Sequence, residues 1–120
     1  MAWKDALKHG QNVVLVTSSK DARPHANVVM SLGFVDDKLL IADCQMARTP
    51  KNIRKNPRVC VVTMGKRGYY RIKGHAAMYT SGKYFDIAVK RTGPDYTVKH
   101  AITIGIKEIF DLGKIKRINL

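Results

Sequence analysis

Apolar and polar residues alternate with a period of two along most of the chain, which predicts strands rather than helices. Residues 12–18 carry the β-branched run Val13, Val14, Leu15, Val16 and Thr17. Ahead of it, Trp3, Ala6 and Leu7 recur at helical spacing, so residues 3–9 predict a short amphipathic helix stopped by Gly10. Residues 20–24 read as a turn, and 36–38 as a hairpin turn between strands at 25–34 and 39–43. Residues 59–64 are apolar on both faces and predict a central strand. Residues 69–80 alternate again: Tyr70, Ile72, Ala76 and Met78 fall opposite Arg71, Lys73, His75 and Tyr79, and Gly74 marks a bulge or bend. A helix over 82–91, with Ser81 as its cap, carries the stripe Tyr84, Phe85, Ala88 and Val89. Ile102, Ile104 and Ile106 define a last strand over 99–110, and the tail 113–120 suits an edge strand or an interface arm. The prediction is mainly β with short helices, about six strands in hairpin order forming an antiparallel barrel or closed sheet, and one domain over residues 1–120.

Two stretches depart from plain alternation. In the strand 25–34, Val28, Met30, Leu32 and Phe34 share one face, which predicts core. The other face, with Asn27, Val29, Ser31 and Gly33, is small and polar; it suits solvent or a flat ligand lying against the backbone. Residues 42–57 leave the strand ending at Asp43 and start a helix near Arg48, Thr49 and Pro50. Thr49 predicts the cap, Pro50 the first helical position, and Asn56-Pro57 the stop. Free amides at that start, beside the Arg48 cation, suit an anion such as a phosphate. On these residues alone the stretch reads equally well as an ordinary capped helix.

Charge is the next feature to change the picture. Lys and Arg number 22 against 9 Asp and Glu, a net +13. Such a field favours nucleic acid, phosphorylated cofactors or acidic partners in general. The basic residues run from Lys4 to Arg117 without forming one stripe, which favours a soluble basic surface over dedicated nucleic-acid binding. At 120 residues, about two-thirds of the unfolded surface can be buried in one core. No apolar run reaches the roughly 20 residues of a membrane span. Cys44 and Cys60 are too far apart for a redox or zinc pair, and with no secretion signal at the N-terminus the expectation is a cytoplasmic protein with reduced thiols.

Ordinary side-chain chemistry finds little here. His9, His25, His75 and His100 lack metal-ligand spacing, so no metal site is expected. Glu108 is the sole glutamate, which leaves no carboxylate pair for glycoside hydrolysis. No nucleophile elbow, P-loop or dinucleotide fingerprint is present, so catalytic residues stay unassigned, and any enzyme activity would rest on a cofactor. Arg67, Gly68 and Tyr69 begin like the RNP1 strand of RNA-recognition domains, but Tyr70 and Arg71 break the pattern.

Read in succession, the strand through Asn27, Val28 and Val29, the hairpin, the strand to Ala42, then Gln45, Met46, Ala47, Arg48 and Thr49 and the helix to Pro57, resemble the FMN-binding split-barrel family. This is the superfamily of pyridoxamine 5′-phosphate oxidase-like proteins, and the likeness is to its small single-domain FMN-binding members. The resemblance implies a six-stranded antiparallel split β-barrel that forms a homodimer with non-covalent FMN near the subunit interface. It puts Asn27, Val28 and Val29 beside the cofactor, and Asp43, Cys44, Gln45 and Met46 along the flavin or ribityl chain. Arg48 and Thr49 fall on the phosphate, and Asn52 either reaches the ligand or packs within the helix. Many relatives have Ser-x-Lys where this chain has Ala47-Arg48-Thr49. The implied function is an FMN-dependent oxidoreductase or electron carrier. A true pyridoxamine 5′-phosphate oxidase is not expected, because the basic C-terminal motif for the substrate phosphate is missing before Leu120. The alternative from another class is a basic β-barrel that binds nucleic acid or another anion without catalysis.

Overall fold

The computed structural model describes residues 2–120. In chain order the elements are α1 (Ala2–Asp5), β1 (Asn12–Ser18), β2 (Pro24–Val35), β3 (Lys38–Asp43) and α2 (Arg48–Lys55). There follow β4 (Arg58–Val62), β5 (Tyr70–Tyr79), α3 (Lys83–Thr92), β6 (His100–Asp111) and β7 (Lys116–Ile118). Antiparallel pairing runs β3-β2-β1-β4-β5-β6, and β6 returns to pair with β3. Six strands therefore close into the barrel that the alternation predicts, and β7 extends the outer edge of β6. Among the described residues no helix is long and apolar enough to cross a membrane.

Inward side chains from every barrel strand fill the interior, among them Leu15, Ile41, Val61, Ile72, Ile102, Ile104 and Ile109. Trp3 and Leu7 plug one end. The regular part of α1 stops at Asp5, but turns continue to Gly10 at φ 96°, so Trp3, Ala6 and Leu7 still share one buried face. A second cluster lies outside the barrel, where α3 covers Leu32, Val35, Leu40 and Ala101 with Ala88, Tyr84 and Phe85. Val89, expected in that stripe, points to solvent. Ser81 does not cap α3; Gly82 takes the cap position without a side-chain hydrogen bond. Tyr70 is core, so the RNP1-like stretch offers no pair of outward aromatics.

β2 does not keep the single apolar face that its sequence suggests. Val28 and Met30 are outward and exposed, whereas Asn27 and Val29 are half-buried. The register against β3 shifts between Ser31 and Phe34, around Gly33 at φ 83°. That bulge sends Leu32 and Val35 beneath α3 and turns Phe34 inward against Trp3. It is pinned on both sides. Ser31 Oγ donates to the Leu7 carbonyl at 2.6 Å and accepts from the Gly33 amide at 2.9 Å, while Arg91 Nη1 donates to the Leu32 carbonyl at 2.9 Å.

Gly74 sits where β5 changes register against β6, and a Cβ there would collide with the Gly105 carbonyl. Gly74→Ala should lower stability by about 1–3 kcal/mol, read as a shift of the urea midpoint at constant m-value.

Candidate functional site

The outer face of β2 and the segment joining β3 to α2 frame a cavity of about 670 Å³, which is within the usual size of a cofactor pocket. Its floor is Val28, Met30 and Leu32 of β2 with Ala42 of β3, an apolar surface. One wall is the segment Cys44, Gln45, Met46 and Ala47, ending on Arg48. Asn27, Val29 and His25 complete that end, and Thr92 and Tyr96, at and beyond the end of α3, close the other. Thr92 Oγ1 is the one buried side-chain oxygen or nitrogen among the described residues without a hydrogen-bond partner.

Seven of the ten residues singled out from sequence line this cavity: Asn27, Val28, Val29, Cys44, Gln45, Met46 and Arg48. The other three lie behind it and shape it. Thr49 is 1% exposed and is not the cap. α2 begins two residues earlier, its cap position is Ala47, and no side chain caps it. Thr49 Oγ1 instead accepts from Asn27 Nδ2 at 2.7 Å, tying the helix start to β2. Pro50 is still tolerated, because amides of the first turn have no helical partner in any case. With no cap, those first-turn amides remain available beside the exposed Arg48 guanidinium. The stop is as expected: Asn56 is extended ahead of Pro57.

Asn52 is turned inward, 3% exposed, with Nδ2 donating to Thr17 Oγ1 at 3.0 Å. It packs against β1 and does not line this cavity. Asp43 is fully buried; its Oδ1 accepts from the Met46 amide at 2.8 Å, and its Oδ2 lies 2.6 Å from His100 Nδ1. Burial pushes the Cys44 thiol up, and the Asp43 charge adds to this, so Cys44 is a neutral thiol near pH 7.

Sequence reasoning missed His25, Met30, Leu32, Ala42, Ala47, Thr92 and Tyr96. Met30 and Leu32 share the period-two face of Val28, and a reading that put that face outside would have found them. Thr92 and Tyr96 carry no local signal; α3 and the segment after it bring them in. A smaller groove of about 350 Å³ crosses the outer faces of β1, β4 and β5, with Arg58, Lys73 and Lys107 in its lining, and contains none of the ten.

Residues 2–113 match the family described as pyridoxamine 5′-phosphate oxidase. The uncharacterized protein MJ0282 of Methanocaldococcus jannaschii is 36% identical over 107 residues, covering 83% of this chain and 72% of that protein. The solved structure of Group A Streptococcus HupZ superposes with a TM-score of 0.85 at 21% identity, covering 97% of this chain and 95% of that one. An FMN-binding protein from Syntrophomonas wolfei gives a TM-score of 0.75 at 17% identity, with 91% and 80% covered. At these identities the two structures speak for the fold.

Proposed function

The chain belongs to the pyridoxamine 5′-phosphate oxidase family of split barrels, and from that premise we propose that it is a flavoprotein holding FMN non-covalently in the cavity beside β2. The observation that carries the reading is the pairing of one apolar floor with one basic, uncapped helix start in the same cavity. A flavin has the matching halves, an apolar tricycle and a terminal phosphate. Asn27, Val28 and Val29 would lie along the ring and ribityl chain, with Cys44, Gln45 and Met46 opposite. Arg48 and the first-turn amides of α2 would hold the phosphate. Asp43, Thr49 and Asn52 act from behind the wall.

Bound FMN supplies hydride and single-electron transfer, chemistry that no side chain provides. The protein residues bind, orient and exclude water. The neutral Cys44 thiol is a weak nucleophile and fills space on the wall. The exposure of Val28 and Met30 on the floor itself favours a second copy of the chain closing the cavity as a homodimer. The reaction class is an oxidoreductase or electron carrier, working in the cytoplasm.

The purified protein should be yellow or become so with added FMN, quench flavin fluorescence at one site per chain, and sediment as a dimer. A colourless protein that ignores added FMN while binding RNA in a steeply salt-dependent way would replace this reading with that of a basic nucleic-acid-binding barrel.

A further inference from the structure

We infer that His100 and Arg54 are positioning residues for the candidate site, holding the wall at 44–47 in shape through the buried carboxylate of Asp43. No residue of this set other than Met46 lines the cavity, so its role is exerted from behind.

Both oxygens of the Asp43 carboxylate are engaged, Oδ1 by the Met46 amide at 2.8 Å and Oδ2 by His100 Nδ1 at 2.6 Å. On the far side of the imidazole, Nε2 lies 3.3 Å from Arg54 Nη2. A guanidinium carries donors only, so Nε2 accepts. With Nε2 turned to the guanidinium, Nδ1 faces the carboxylate as donor to Asp43. A guanidinium on α2, an imidazole on β6, a buried carboxylate on β3 and a wall amide form one chain. The lining of the hollow beside His100 adds only Ile53 from α2 and Ala76, Ala77, Met78 and Thr80 from β5 and its end, none titratable. Lys99 is tied to Asp43 through the backbone alone, amide to carbonyl at 2.7 Å.

A carboxylate with no exposure needs its partners. If the imidazole donor is removed, the easiest relief is to open the turn from Asp43 to Met46 and let water reach the carboxylate. The Met46 amide is then released, and with it the four residues of the wall.

The test compares His100→Phe, which removes both ring nitrogens, with His100→Asn, whose amide nitrogen can take the place of Nδ1. In the ligand-free protein, NMR should find the Met46 amide proton shifted and exchanging about tenfold faster or more in His100→Phe, and close to wild type in His100→Asn. With FMN as the probe, the dissociation constant should rise about tenfold in His100→Phe and stay within about threefold in His100→Asn. Arg54→Met, an exposed change that keeps the fold, should move both readouts in the same direction as His100→Phe by a smaller amount. An unmoved Met46 amide in His100→Phe and Arg54→Met overturns the relay. A moved amide with unchanged FMN affinity overturns the positioning role. The affinity arm rests on the proposed FMN site. If wild-type protein takes up no FMN, that proposal fails, and the Met46 amide alone still decides the relay.

Discussion

Arg48→Glu will weaken FMN binding by about two orders of magnitude and leave riboflavin binding nearly unchanged. Arg48 is exposed at the first turn of α2 and makes no contact needed for the fold, so the change tests the ligand and not stability. A charge-assisted hydrogen bond to phosphate contributes about 1.5–3 kcal/mol, and the helix start about 0.3–1 kcal/mol more. Glutamate removes the first and repels what the second attracts. Riboflavin has the same ring without the phosphate, so comparing the two flavins by fluorescence quenching isolates that end of the cavity. The FMN affinity of wild type should also fall with added salt more steeply than its riboflavin affinity. Equal weakening of both flavins would move the phosphate away from Arg48.

Trp3→Ala is the largest expected change in stability, a loss of about 3–5 kcal/mol. Trp3 is 7% exposed, packs edge-on against Phe34 with ring centroids 6.0 Å apart, and lies under the Lys4 ammonium at 5.5 Å. Its loss opens the barrel end that it shares with the fully buried Leu7. Domains of this size are stable by about 5–15 kcal/mol, so the variant should lie near the edge of unfolding. Trp3 is the sole tryptophan, so urea unfolding is followed by circular dichroism and not by indole fluorescence. A loss below about 1 kcal/mol would mean that α1 is peripheral to the core.

Strand placement was legible because alternation is a property of the chain itself. β5 reads correctly from Tyr70 to Met78, and Gly74 announces its own register shift. The faces of β2 were not legible. A bulge at Gly33 inverts them midway, and simple alternation through Leu32 and Phe34 hides it. Thr49 misled for a related reason. Its hydroxyl was assigned to the nearest helix amides, whereas tertiary packing brings Asn27 closer. Asn27 and Arg48 could be read from local chemistry. His100 and Thr92 could not, because what matters about them is the strand or helix that each ends up beside.

Closure of β6 on β3 has a kinetic consequence. It sets Asp43 against His100 across 57 positions of sequence, whereas β2 and β3 meet through a hairpin turn. A pairing between such distant segments carries a larger loop-closure entropy than a hairpin and forms late. The wall at 44–47 is braced only once that seam is shut. During refolding, most of the sheet should therefore appear before the protein can capture a ligand, and on unfolding the seam's opening should set how fast the ligand escapes.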